Sequence, residues 1–263
     1  MKSNKLTLGV FASADAGKTT LSENILFNSG VIRRIGHVDE GDSFLDSDSM
    51  EKERGISIFS KEARFSVDDM DVVLIDTPGH IDFAAEAERT LNILDAAILI
   101  ISSDGINKRT RQIWSKLDRY SIPRLIFVNK CDLASFDRER IEAQLHRISS
   151  ATFDVTNLQK IDDDLCEKIA FSSDLAFDIF EQNSGFSKSD IKMLINRAAL
   201  FPCVYGSALK GDGVKELIKS LSYFDKQREY DDAFSCFVYK ITRDKSGSRL
   251  SHVKITGGSI SLK

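Results

Sequence analysis

Residues 12–20, Ala-Ser-Ala-Asp-Ala-Gly-Lys-Thr-Thr, constrain the fold more than any other stretch of the chain. They follow an apolar, strand-like run at 6–12 and open a helix-like segment at 18–28, so the backbone must pass from strand through a tight turn into helix. A Gly-Lys-Thr turn in that setting is a P-loop. Its backbone N–H groups and the helix N-terminus together form a cradle for anions. Lys18 would reach the β- and γ-phosphates of a nucleotide and the Thr19 hydroxyl would coordinate Mg²⁺, with Asp15, Ala16, Gly17 and Thr20 completing the loop. Ala12 stands where such a pattern usually begins with glycine.

The rest of the chain supplies the sheet that a P-loop needs. Strand-like runs recur at 56–65, 71–75, 96–102, 124–128 and 203–205, separated by helix-like segments at 83–94, 108–120, 138–148 and 214–223. This alternation predicts an α/β fold, a mostly parallel sheet with helices on both faces. Residues 151–199 read as a helical insertion on the sheet edge, with apolar positions such as Leu165, Ile169, Ile179 and Ile191. After Tyr230 the pattern turns to strands, at 236–241, 252–255 and 260–262, with a polar turn between the first two. Some thirty residues are too few to close a barrel, so the expected division is a nucleotide-binding domain over 1–229 and the incomplete start of a β-barrel over 230–263. A long loop in such a fold is usually functional, and the polar stretch at 29–55 is a candidate switch.

Further motifs fall in a fixed order along the chain. Asp76 heads Asp-Thr-Pro-Gly-His at the end of a strand, where its carboxylate would hold Mg²⁺ through water while the Gly79 N–H approaches the γ-phosphate. Glu53-Arg-Gly-Ile-Ser57 lies between this motif and the P-loop, and the Ser57 hydroxyl would complete the metal shell only when a γ-phosphate is present. Asn129-Lys-Cys-Asp132 follows the strand-like run at 124–128. Asp132 would accept hydrogen bonds from the guanine ring N–H and exocyclic amine, Asn129 would meet the opposite edge of the base, and the Lys130 stem would cover one face. Ser207-Ala208-Leu209 would add a backbone N–H, from Ala208, for the guanine carbonyl. Each motif alone has an ordinary reading as a turn or a strand end; the order carries the argument.

Composition narrows the classes. With 36 basic and 40 acidic residues the formal charge is -4, which gives no overall footprint for gripping nucleic acid, so any RNA contact must be local. The strongly apolar stretch at 96–101 is too short to cross a bilayer, and no secretory h-region is complete. A cytoplasmic monomer without a membrane partner is expected. Cys131, Cys166, Cys203 and Cys236 form no CxxC pair and His37, His80, His146 and His252 do not cluster with them, which argues against zinc and disulfides.

The set Asp-Ala-Gly-Lys-Thr-Thr, Glu-Arg-Gly-Ile-Ser, Asp-Thr-Pro-Gly-His-Ile-Asp-Phe and Asn-Lys-Cys-Asp resembles the translational GTPases related to elongation factor G. Within them it is similar to the tetracycline-resistance ribosomal protection proteins and their clostridial-type relatives. The resemblance runs through Phe201-Pro-Cys-Val-Tyr-Gly-Ser-Ala-Leu209 and Lys254-Ile-Thr-Gly-Gly258, and family members continue through further domains, so the chain is expected to be an N-terminal portion. The resemblance implies Mg²⁺-dependent GTP hydrolysis on the ribosome, with His80 orienting the attacking water, and gives Asp15 either a monovalent cation or a loop-structuring role. Ser13 and Ala14 depart from the usual His-Val, where the valine forms half of an apolar gate opposite the residue matching Ile56; Ala14 makes that gate looser. Ser57 replaces the commoner threonine and keeps the hydroxyl. Protection against tetracycline, elongation and release-factor-like activity share this chemistry. A regulatory module with little turnover is the alternative from another class, and Asn129–Asp132 argues against an ATPase.

Overall fold

The computed structural model describes residues 4–34, 61–76, 89–224, 232–243 and 246–261; Ser57, Gly79, His80, most of the 29–55 loop and the first part of the 83–94 segment lie outside them. One sheet organises the molecule. Its strands are β1 (Asn4–Ala12), β2 (Lys61–Val67), β3 (Met70–Asp76), β4 (Ala96–Ser102), β5 (Arg124–Asn129), β6 (Thr152–Asp154) and β7 (Phe201–Tyr205), in the order β2-β3-β1-β4-β5-β7-β6. Within this sheet only the β2–β3 pair is antiparallel. The central strand β4, Ala-Ala-Ile-Leu-Ile-Ile-Ser, is buried at every position, as an unbroken apolar run must be when helices cover both faces of a parallel sheet. Edge strand β2 instead alternates, burying Ala63 and Phe65 and exposing Arg64 and Ser66.

Helices α1 (Lys18–Asn28), α2 (Lys108–Arg119), α3 (Arg138–His146), α4 (Asp163–Ala170), α5 (Asp174–Asn183), α6 (Lys188–Asn196) and α7 (Val214–Ser220) cover this sheet. One face packs on α1, the insertion helices and α7, the other on α2 and α3. In the described part of the expected helix-like segment at 83–94, residues 89–91 are helical and the chain then turns into β4. The insertion is not helical throughout. Its first residues form β6, which pairs in parallel with β7 and closes the sheet edge before α4 begins. Phe153 is the only large apolar side chain in that three-residue strand, too short a run to register as a period-2 pattern.

A buried cation sits at the start of β5. Arg124 is fully buried between the rings of Trp114 and Phe201, 4.4 and 4.5 Å from their centroids; it donates to Trp114 O (3.1 Å) and pairs with Asp118. Burial lowers its pKa, and Asp118 opposes that shift.

Strands β8 (Ser235–Arg243) and β9 (Arg249–Gly257) form a separate antiparallel hairpin, longer at both ends than the sequence pattern suggested. Phe237, Val238, Ile241, Leu250 and Val253 are exposed on it. The hairpin is fastened to the sheet at two places. Lys254 Nζ reaches Asp95 Oδ2 (2.8 Å) and Ile93 O (2.6 Å), while the same Asp95 oxygen accepts the Thr7 N–H of β1 (2.8 Å). Tyr239 donates to Glu62 Oε1 on β2 (2.8 Å), and His252 Nδ1 lies 3.4 Å from that oxygen.

Candidate functional site

Parallel strands bring their carboxyl ends to one edge, and ligands of open α/β sheets bind outside that edge. The register puts Val10 beside Asp76, Ser102 beside Asn129 and Val128 beside Tyr205. The loop after β1, the end of β3, the Asn129–Asp132 segment and the Ser207–Leu209 loop therefore share one rim, as the order of motifs required.

The loop from Ser13 to Gly17 is tight. Asp15 and Gly17 have φ of 57° and 89°, in the left-handed region, and the Ala16 N–H bonds to Ser13 O (3.3 Å). Asp15 thus has the loop-structuring geometry, which aspartate tolerates. Helices α2 to α6 each begin with an Asn, Asp or Ser whose side chain accepts a first-turn N–H; α1 begins at Gly17 with no side-chain cap. The backbone N–H groups of that first turn, around Lys18, Thr19 and Thr20, suit an anion. Lys18 Nζ stands 2.7 Å from Asp76 Oδ2, whose side chain is fully buried, so the residues expected to meet phosphate and metal are adjacent.

The Asn129 side chain joins three segments. Its Nδ2 donates to Ala16 O, and its Oδ1 accepts from the N–H groups of Lys130 and Ala208, all at 2.8 Å. At 3% exposure this side chain braces the site, with one of its two amide hydrogens beyond these three bonds. The Ala208 N–H is directed at Asn129 Oδ1. Glycine at 17 is needed twice, for its positive φ and because a Cβ there would lie 2.3 Å from Asn129 Nδ2. Asn24 of α1, which sequence reasoning missed, donates to Ala208 O (2.7 Å). The 207–209 loop is also closed from below by the paired backbones of Ser207 and Asp212, an approach possible because Gly206 has no Cβ to strike Asp212 O.

Asp132 is exposed on the same rim. The nearby Ser207 hydroxyl, aided by Lys210 at 3.5 Å, holds its carboxyl below the usual aspartate range against the opposing effect of desolvation. Lys130, half-buried, adopts a left-handed φ of 63°, and Leu209 is exposed. Between Lys130 and Asp132, Cys131 turns inward, its N–H on Gly206 O (3.0 Å) and its thiol on Val128 O (3.2 Å), and burial pushes that thiol up to about 11. Thiolate is the nucleophile. One equivalent of iodoacetamide at pH 8 should therefore mark exposed Cys236 and spare Cys131; peptide mass spectrometry reads the outcome, and label on Cys131 first would contradict its inward packing.

A cleft of about 930 Å³ opens elsewhere, between Leu158, α6 and Tyr223, but none of the ordered motifs reaches it and its polar lining does not converge. Among the described residues no helix is long and apolar enough to cross a membrane, and no group of three His, Cys, Asp or Glu side chains gathers as for a metal.

The chain is 34% identical over 284 residues to the tetracycline resistance protein TetP of Clostridium perfringens and 32% over 275 residues to TetO of Campylobacter jejuni, in each case over 98% of this chain and 43% of the relative. It is 30% identical to the oxytetracycline resistance protein of Streptomyces rimosus, over 99% of this chain and 43% of that protein. The chain thus spans less than half the length of these relatives. A crystal structure of a protein from Thermus thermophilus shares the fold, with a TM-score of 0.82 and 19% identity over 96% of this chain and 45% of that one. Residues 3–225 match the sequence profile described as the elongation factor Tu GTP binding domain, and the chain belongs to that family.

Proposed function

We propose that the chain binds guanine nucleotide with Mg²⁺ and hydrolyses GTP by in-line attack of water, as the nucleotide-binding unit of a factor that works on the ribosome. The observation that carries this reading is the Asn129 brace. One buried side chain fixes the phosphate loop, through Ala16, against the Ser207–Leu209 loop, through Ala208. A ligand with phosphates at one end and a base at the other needs those two loops at a fixed separation.

Lys18 and the uncapped first turn of α1 hold the phosphates. Thr19 and Asp76 are hard oxygen donors of the kind that suits Mg²⁺, and the Lys18 ammonium at Asp76 marks a carboxylate that already holds a cation. When bound, the ion neutralises charge on the phosphate oxygens. Asp132 reads the guanine edge, its carboxyl held below the usual aspartate range beside Ser207 and Lys210, and Lys130 and Leu209 frame the base. Ser57, Gly79 and His80 keep their expected roles at the γ-phosphate and the attacking water. The nucleotide unit comprises residues 1–229, and the hairpin opens a second unit over 230–263. The relatives' names favour protection of the ribosome against tetracycline as the biological setting, in a cytoplasmic monomer. A second reading, nucleotide held with little turnover, draws support from the small Ala14.

Calorimetric titration with GTP and ATP, and phosphate release with and without ribosomes, test the proposal. Asp132→Asn should weaken GTP roughly 10²-fold and admit xanthosine triphosphate, because a mismatched donor faces the guanine N–H groups. Asp132 is ionised in its depressed state, so its contribution is present above the ordinary aspartate range near pH ~4 and is lost only as pH falls below it. Guanine affinity should stay level from pH 8 to about 5. Equal affinity for GTP and ATP would defeat the reading.

A further inference from the structure

Asn24 is out of place by the ordinary rules of helices. It lies two turns inside α1, at a position 3% exposed, where asparagine is a poor helix former and a buried amide is costly unless it is bonded. Its Nδ2 crosses to another part of the chain and donates to Ala208 O at 2.7 Å, as well as to Thr20 O at 3.2 Å on its own helix. The N–H of the same Ala208 is held by Asn129 Oδ1 at 2.8 Å. Two asparagine amides thus grip the two polar ends of one residue, one from the phosphate helix and one from β5. Two residues on in the same loop, Lys210 donates its N–H to Ser207 Oγ (3.3 Å) and brings its ammonium to 3.5 Å from the Asp132 carboxylate.

We infer that Asn24 is a positioning residue for base recognition: it fixes Ala208, and with it the 207–210 loop beside the carboxylate of Asp132, against the phosphate helix. The inference rests on the guanine-nucleotide reading above. It separates two affinities. Phosphate is held by the loop that opens α1, which Asn24 does not touch beyond Thr20, whereas the base is held by the loop that Asn24 anchors. Loss of the Asn24 donor should release the base loop and leave the phosphate cradle intact.

Asn24→Leu removes the donor at similar volume, and Asn24→Asp turns it into an acceptor facing a carbonyl. In both variants GDP affinity should fall about tenfold and the preference for GDP over ADP should shrink, while competition by inorganic pyrophosphate with Mg²⁺ stays unchanged. A residue with a merely structural role would weaken GDP and pyrophosphate together, and that result, like unchanged GDP affinity, would overturn the inference. If the unaltered chain shows no preference for GDP over ADP, the guanine reading itself fails and this inference with it. Should neither variant fold, the side-chain amide resonances of Asn24 in the unaltered chain decide the matter: they should shift on addition of GDP but not of pyrophosphate, and no shift with GDP would overturn the proposal.

Discussion

Substituting alanine for Gly17 should cost about 3–5 kcal/mol of folding stability and abolish measurable binding of GDP. Left-handed backbone costs an alanine roughly 1–2 kcal/mol. The larger part comes from Asn129. The new methyl would stand 2.3 Å from Asn129 Nδ2, and that buried amide is held by three hydrogen bonds, to Ala16, Lys130 and Ala208. Moving it breaks bonds worth about 1 kcal/mol each and leaves buried polar groups unmatched. Gly30 separates the two contributions. Its φ of 74° is also left-handed, but nothing lies within 4 Å of the position a Cβ would take. Gly30→Ala should therefore show only the backbone cost. Urea midpoints for both variants give the comparison, and equal losses would mean that Asn129 is not under the pressure its contacts imply.

Arg124→Ala should cost about 3–4 kcal/mol, whereas Arg124→Met should lie within about 1.5 kcal/mol of the parent chain. Alanine empties a slot between Trp114 and Phe201, and it forfeits the contact of a desolvated cation with two rings. Methionine fills the slot and removes a charge whose burial is expensive. Asp118 is half exposed, so once released it regains water. Trp114 is the single tryptophan of the chain, and its emission reports both unfolding and the loss of the cation at its face. A methionine variant as unstable as the alanine variant would assign the stability to the ion pair instead of to packing.

Much of the scaffold was legible because parallel strands buried on both faces must be continuous apolar runs, and β4 and β5 are of that kind. Helix α1 was found at its full length from the P-loop alone. β6 was not, because three residues carry no period. The site was legible as residue types but not as roles. Asn129, Asp132, Lys18 and Asp76 all reach the expected rim, yet the spacing of a motif says nothing about which atoms a side chain spends on its own backbone, and Asn129 makes three hydrogen bonds there. Asn24 left no signal. Helix α1 buries Leu21 through Leu26 without interruption, so it has no polar face against which a misplaced asparagine would stand out.

The two attachments of the β8–β9 hairpin differ in stiffness, which gives the molecule a mechanical asymmetry. Asp95 is anchored beside the sheet centre, sharing bonds with β1 in both directions, so a pull through Lys254 is resisted by the central ladder. Glu62 belongs to β2, the outermost strand among the described residues, where it is bonded along one side. A torque on the hairpin would therefore pivot about Lys254 and spend its displacement as shear on β2. In the β2–β3 ladder Glu62 is paired with Ile75, one residue short of Asp76. Strain delivered there reaches the Asp76 carboxylate within a single residue, and by the same geometry a movement of Asp76 has a short path outward to the hairpin.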